Sequence, residues 1–304
     1  MDPIVILGPT ASGKTRLAVA LADVTDGEII SADSRQVYKD MNIGTGKDLS
    51  DYVIHQKEIP YHLIDIREAG EKYNLHEFLS DFKKSMDDIK SRNKRAIVSG
   101  GTGLYIEAAL KNYAYTGVPV DKVLREGLSL NTKEELLDLF NSSESEYHAL
   151  ADVSTKKRLI RAIEISNYLQ KNDLNGMVHH PASYLLIGMD IPREERRRRI
   201  SERFHSRIKN GMIEEVKALL DKGISKDQLV YYGLEYKFIS QYLSGDFTYE
   251  AMAEHLEIAI HQYAKRQMTY FRKMEKGGLN IHWIDGTQNV QEQLKQVLTL
   301  INHS

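Results

Sequence analysis

The sequence predicts an α/β protein, a doubly wound parallel sheet carrying a helical insertion domain, and three observations point that way. Short apolar runs alternate with helical patterns through residues 1–112, the order from which a parallel sheet with helices on both faces is built. Two more strand-like runs, Tyr184 to Met189 and Leu279 to Ile284, come late and fit the same sheet. Between them and the first block, residues 113–182 hold helical patterns with no convincing strand, after the break Thr116-Gly117-Val118-Pro119. At 304 residues the chain exceeds the usual single-domain size, so a core of residues 1–112 plus 183–304 with an insertion at 113–182 is the expected organisation.

The first strand, Ile4 to Leu7, runs into Gly8-Pro9-Thr10-Ala11-Ser12-Gly13-Lys14-Thr15, and a helical pattern follows over about 14–23. GxxxxGK followed by Thr, between a strand and a helix, is a P-loop in its proper place, which makes the fold P-loop NTPase-like. Gly8, Thr10, Ala11, Ser12, Gly13 and Lys14 would surround a phosphate or diphosphate with backbone N–H groups, a positive helix end and an ammonium. The Thr15 hydroxyl would sit where a Mg²⁺ ion bridging phosphate oxygens needs a ligand. Which phosphate compound is held, the motif leaves open.

A second strand, Glu28 to Ser31, leads to Asp33-Ser34-Arg35-Gln36, placed by the usual rule at the carboxyl edge of the sheet beside the P-loop. Asp33 is a candidate general base or a capping acid. Ser34, Arg35 and Gln36 suit a hydrogen-bonding substrate or simply a polar turn. A third strand is expected at Tyr61 to Ile66, ending near Asp65, which could orient Mg²⁺ through water as in an ATPase. After a helix over 75–92, the fourth strand, Arg95 to Ser99, feeds Ser99-Gly100-Gly101-Thr102-Gly103 and a helix over 103–111, either a second anion site or a closely packed turn.

The insertion carries a helix expected at about 154–170, with Leu159, Ile160, Ile163 and Leu169 at helical spacing and the cations Lys157, Arg158 and Arg161 offset from them. Asn172 to Pro181 reads as a polar loop. From Pro192 to about Leu220 one helical stretch, bent at Gly211, places Ile200, Phe204, Ile208 and Met212 on an apolar stripe. Arg199, Arg203 and Arg207 lie about 100° away, so Arg203 borders the buried edge and is the one expected to reach a site. Thr248 caps a last long helix to about Met274, rich in cations and aromatics.

Composition removes several classes of chemistry. The absence of Cys excludes disulfides, thiolate zinc sites and cysteine nucleophiles. The eleven histidines show no ligand spacing, His179-His180 falling in the polar loop, so no structural metal is expected. The start MDPIVILGPT has no basic leader and reads as a strand, and no run of about 18 apolar residues occurs. No membrane partner and a cytoplasmic setting are expected. A net charge of −2 makes no whole-chain case for nucleic acid, but the basic clusters concentrate after residue 150.

Seven segments together resemble the bacterial-type tRNA dimethylallyltransferases: GPTASGKT (8–15), ISADSRQVYKDMNIGTGK (30–47), HLIDI (62–66), SGGTGLYIEA (99–108), KRLIRAIEI (157–165), RISERF (199–204) and QYAKRQMTYFR (262–272). They occur in family order across almost the whole chain. The resemblance implies transfer of a dimethylallyl group from dimethylallyl diphosphate to the N6 amine of adenosine 37 in the anticodon arm of tRNA, with Mg²⁺ as cofactor. It makes Asp33, Thr15 and Arg203 the catalytic set, and gives the P-loop with Arg203 to the diphosphate. Asp33, Ser34, Arg35, Gln36, Thr102, Lys157, Arg158 and Arg161 fall to tRNA. The chain departs from the family pattern at Gly233-Leu234, where Gly-Tyr is customary, and at Tyr270, where Trp is. The alternatives are an ATP-dependent P-loop kinase of a small molecule and a non-catalytic RNA-binding paralogue. A monomer is the expected state.

Overall fold

In the computed structural model, which describes residues 2–111, 114–143, 145–172 and 183–303, the strand β1 (Ile4–Leu7) is buried along its whole length. A strand covered on both faces reads as a continuous apolar run, which is why no alternation marks it in the sequence. Ile4 and Ile6 pack on one face with Leu17, Leu21 and Val297, while Val5 and Leu7 pack on the other with Phe78, Tyr105 and Phe271. The helix α1 (Lys14–Thr25) follows, then β2 (Gly27–Ser31), a two-residue antiparallel pair β3 (Val53–Ile54) and β4 (Lys57–Glu58), and β5 (Tyr61–His62). The helix α2 (Leu75–Ser91), β6 (Arg95–Gly100) and α3 (Gly103–Lys111) complete the first block.

The insertion contributes α4 (Lys122–Ser129), α5 (Lys133–Asn141) and α6 (Lys156–Leu169). The chain then returns through β7 (Leu185–Asp190), α7 (Arg193–Lys209), α8 (Met212–Asp221), α9 (Lys226–Tyr232), α10 (Leu234–Leu243), α11 (Tyr249–Lys276), β8 (His282–Asp285) and α12 (Val290–His303). Among the described residues six strands form one parallel sheet in the order β5-β2-β6-β1-β7-β8. Having β1 between β6 and β7 reverses the direction of winding there, and a ligand crevice belongs at the carboxyl ends of strands at such a point.

Contacts divide the chain into two compact units, Met1–Leu110 with Ala182–Ser304, and Lys111–Pro181. The second has its own core, in which Leu159 and Ile163 of α6 meet Leu128, Leu136 and Phe140.

Three elements differ from expectation. The third core strand is two residues long, not six, because Leu63 and Asp65 take left-handed conformations with φ 62° and 55°. The stretch from 192 to 220 is not one bent helix: Gly211, at φ 98°, separates α7 from α8. The last strand starts at His282, three residues later than the apolar pattern suggests. The polar loop with His179 and His180 lies, from residue 173 on, outside the described residues.

Candidate active site

The P-loop turns between β1 and α1 with Ala11 and Gly13 both at positive φ, 62° and 84°. At Ala11 that conformation costs about 1–2 kcal/mol, strain of the kind that sites for ligands retain. Gly13 caps α1 without any side-chain hydrogen bond, and no acidic residue lies in the first turn, so nothing from the side chains answers the helix's leading N–H groups. Gly8 is required by contact: a Cβ there would lie 2.6 Å from Ser12 Oγ and 2.9 Å from Met189 Cβ.

The loop forms one wall of a cleft of about 1320 Å³ that lies wholly within the first unit. Asp33 to Gln36, Thr102, Arg203 and Arg207 line it as well. Thr15 is half-buried at the head of α1 and faces the same space. Enclosure lowers Lys14 to about 8, and the charge of Arg203 adds to the effect while Asp33 opposes it. An anion bound against Lys14 favours its charged form. Affinity for phosphate ligands is therefore expected to weaken as pH rises through about 8, which titration calorimetry across that range checks; constant affinity would contradict it.

Asp33 stands just past β2, half-buried, with Oδ1 accepting from Arg35 N at 2.8 Å. That turn is tied to the second glycine-rich loop. Ala32 N donates to Ser99 O at 2.8 Å, Thr102 N to Ala32 O at 3.3 Å, and Ser34 N to Thr102 Oγ1 at 3.1 Å. Gly100 permits this approach, since a Cβ on it would fall 2.2 Å from Ala32 O. Gln36 is held at both ends of its amide: Ser31 Oγ donates to Oε1 at 3.0 Å, and Nε2 donates to Gly46 O at 3.2 Å. Arg35 lies over the Tyr231 ring, 5.0 Å from its centroid.

Of the arginine stripe on α7, Arg203 and Arg207 converge on the cleft. Arg203 Nη1 lies 3.4 Å from Thr10 Oγ1, and both arginines meet Asp48. Arg199 also lines the cleft, but it donates to Glu195 at 2.6 Å and to Gly286 O at 3.0 Å. Glu235, at the start of α10, is a further carboxyl of the cleft, which Asp33, Asp48, Asp51 and Glu202 also line. Enclosure raises it, Arg207 and Arg203 pull it back, and Asp33 adds to the rise. Its position two residues after Gly233, where the sequence departs from the Gly-Tyr pattern, was the available signal.

Gln267 of α11 joins the two glycine-rich loops. Buried, it accepts from Thr10 N at 2.9 Å and donates to Gly101 O at 2.8 Å. Gln267→Ala orphans both backbone groups, and each unmet buried group costs about 1–3 kcal/mol. The variant is expected to lose roughly 2 kcal/mol or more of stability in urea titration; a wild-type midpoint would contradict the assignment.

Asp65, offered above as a metal-orienting acid, is instead ion-paired with buried Lys47, whose Nζ also donates to Tyr38 O at 2.6 Å. It does not line the cleft. In the insertion unit Lys157 is exposed, and Arg158 donates to Asp152 Oδ2 at 2.9 Å. Arg161 is committed internally: it pairs with Glu164, which Arg125 grips bidentately at 3.0 and 2.7 Å, and donates to Val118 O at 2.6 Å.

Among the described residues no three His, Cys, Asp or Glu side chains could together cage a metal. The Thr15 hydroxyl is a hard oxygen donor of the kind that suits Mg²⁺, which takes few protein ligands and fills its sphere with phosphate oxygens and water.

A family model described as IPP transferase matches residues 36–274, and one described as isopentenyl transferase matches residues 1–64. The chain is 50% identical over 300 residues to tRNA dimethylallyltransferase 1 of Parabacteroides distasonis, covering 99% of this chain and 97% of that one. It is 51% identical over 297 residues to tRNA dimethylallyltransferase 2 of Porphyromonas gingivalis, covering 98% of each. The fold matches the crystal structure of a tRNA isopentenylpyrophosphate transferase from Bacillus halodurans with a TM-score of 0.73 at 29% identity, over 99% of this chain and 96% of that one.

Proposed function

We infer the reaction from one premise: the chain belongs to the tRNA dimethylallyltransferase family. It transfers a dimethylallyl group to tRNA. In the reading we propose, the donor is dimethylallyl diphosphate and the acceptor is the N6 amine of adenosine 37 in the anticodon arm. The observation that carries this is a single cleft in which the P-loop, Asp33 and Arg203 face one space.

The N6 amine is a weak nucleophile because its lone pair is delocalised into the ring. As nitrogen attacks C1 of the dimethylallyl group, the bond from C1 to the diphosphate oxygen breaks, and Asp33 takes the proton that N6 loses. Negative charge grows on the departing diphosphate. Lys14, Arg203 and the N–H groups of residues 11–15 bind it more strongly as it forms, which is what lowers the barrier. Mg²⁺, held by Thr15 and phosphate oxygens, would neutralise part of the same charge. The adenosine must leave its stack to enter the cleft, at a cost of a few kcal/mol. Ser34, Arg35, Gln36 and Thr102 form the rim that receives it.

Mass spectrometry of tRNA nucleosides after incubation with the protein, Mg²⁺ and dimethylallyl diphosphate tests the reading. Prenylated adenosine is expected, and unmodified tRNA would sink it. Titration with ATP beside the donor separates the kinase alternative, which predicts tighter ATP binding. Outside the cleft, reversing Lys157 and Arg158 to Glu is expected to weaken tRNA binding and to flatten its salt dependence by about one to two units of slope while leaving donor binding intact; equal loss of both would contradict this. No helix among the described residues is long and apolar enough to cross a membrane. We place the protein in the cytoplasm, as a monomer.

A further inference from the structure

Asp48 has no part in the chemistry above, yet it is the acid that the two site arginines address. Its carboxylate lies 3.1 Å from Arg203 Nη2 and 3.1 and 3.2 Å from Arg207 Nη2. It precedes the short turn Leu49–Tyr52 as its N-cap, but its side chain makes no capping bond there. Partial enclosure raises the carboxyl, and Arg207 with Arg203 more than offsets this, so it is held below the ordinary carboxylate range.

The surrounding loop is built to keep this meeting in place. Glu215 of α8 accepts from the N–H groups of Asn42, Ile43 and Gly44 at 2.8, 2.7 and 3.0 Å, and from Tyr236 OH at 2.8 Å. Gly46, at φ 72°, leaves room for the forks, since a Cβ there would sit 2.4 Å from Arg203 Nη2 and 2.6 Å from Arg207 Nη2. Arg203 thus turns one nitrogen toward Thr10 on the P-loop and the other toward Asp48. A carboxylate and a phosphate present the same pair of acceptor oxygens to a guanidinium fork, so each is a substitute for the other. Asp48 is also the exposed member of the trio, with its side chain 47% accessible, against 30% for Arg203 and 15% for Arg207. It is the partner that moves into solvent at least cost.

We propose that Asp48 is a positioning residue for the leaving group: it holds Arg203 and Arg207 aimed at the P-loop, yields them to the phosphate oxygens, and takes them back when diphosphate departs. The proposal rests on the reading of the cleft as a diphosphate site. Ion-pair exchange of this kind lowers affinity for donor and product alike. In return it speeds product release, often the slow step once chemistry is efficient.

Asp48→Asn tests it, because the amide keeps shape and one acceptor but removes the competing charge. Calorimetric titration of the full chain with inorganic diphosphate and Mg²⁺ is expected to show roughly tenfold tighter binding in the variant, the scale of one unit charge removed a few ångströms from an anion in a partly screened site. KM for the donor and steady-state kcat should both fall, with a burst of prenylated tRNA preceding the slowed release of diphosphate. Asp48→Glu, which keeps the charge, should bind diphosphate as the wild type does, and it stays informative should the amide variant not fold: tightening in the glutamate variant would also overturn the exchange. Unchanged or weaker diphosphate binding in folded Asp48→Asn would overturn the proposal alone. Failure of the wild-type chain to bind diphosphate would remove the reading of the cleft together with it.

Discussion

Asp33→Ala is expected to lower the single-turnover rate of prenyl transfer by roughly 10²- to 10⁴-fold, the usual worth of a positioned general base. The acceptor makes the base necessary, since an exocyclic adenine amine gains acidity only as its nitrogen bonds to carbon. Asp33 is the carboxylate that the β2 turn sets beside the P-loop, and its visible bond is a local one to Arg35 N. The fold should therefore survive, with an unchanged circular dichroism spectrum. Donor affinity should change less than the rate, because Asp33 acts on the acceptor; its removal also takes away a charge that supports protonated Lys14. Asp33→Asn, which preserves shape but cannot take the proton, should be as inactive. Near-normal single-turnover rates in either variant would reassign the base to another carboxyl of the cleft, Glu235 among them.

Arg203→Ala carries the second large effect, a fall in kcat/KM of roughly 10²- to 10³-fold, comparable to removing one preorganised donor from a site of developing negative charge. The guanidinium approaches the P-loop rim through Thr10 and shares Asp48 with Arg207, so its loss removes a phosphate donor and leaves the acid paired with one arginine. Arg203→Lys should recover little, because a single ammonium cannot address Thr10 and Asp48 from a planar fork. Steady-state kinetics at varied donor concentration measure this, and a loss below about fivefold would place Arg203 outside the phosphate contacts.

The parts of this site legible in the sequence were those whose geometry is local. The P-loop, the Asp33 turn and the Ser99–Gly103 loop each follow a strand, and the end of a parallel strand fixes where they point. Arg203 was found because helical periodicity placed it at the margin of an apolar stripe. Arg207 lies one turn further along the same stripe, but what brings it into the cleft is Asp48, on a loop whose path Glu215 sets from 167 or more residues away in sequence, separations of 171 to 173 in the bonds themselves. Nothing local to residues 42–48 announces that. The third strand failed for a related reason. Leu63 and Ile64 read as strand, and Asp65 turns aside to meet Lys47, a pairing that periodicity does not encode. Arg161 belonged by composition to the basic face of its helix, yet Glu164 one turn on draws it inward. For Arg207 and Asp65 the partner lies on a distant or turned segment that spacing alone could not name, whereas Glu164 sits at the i+3 position from Arg161 that helical spacing does mark.

The bond from Thr10 N to Gln267 spans 257 residues. During synthesis, β1 and the P-loop leave the ribosome well before α11. The nascent chain therefore carries its phosphate-binding motif long before the side chain that ties it to the Gly101 loop exists. Contacts this distant in sequence close late in folding. A chain stalled before residue 267 has the whole P-loop and lacks that tie, so the binding site matures only after α11 has emerged.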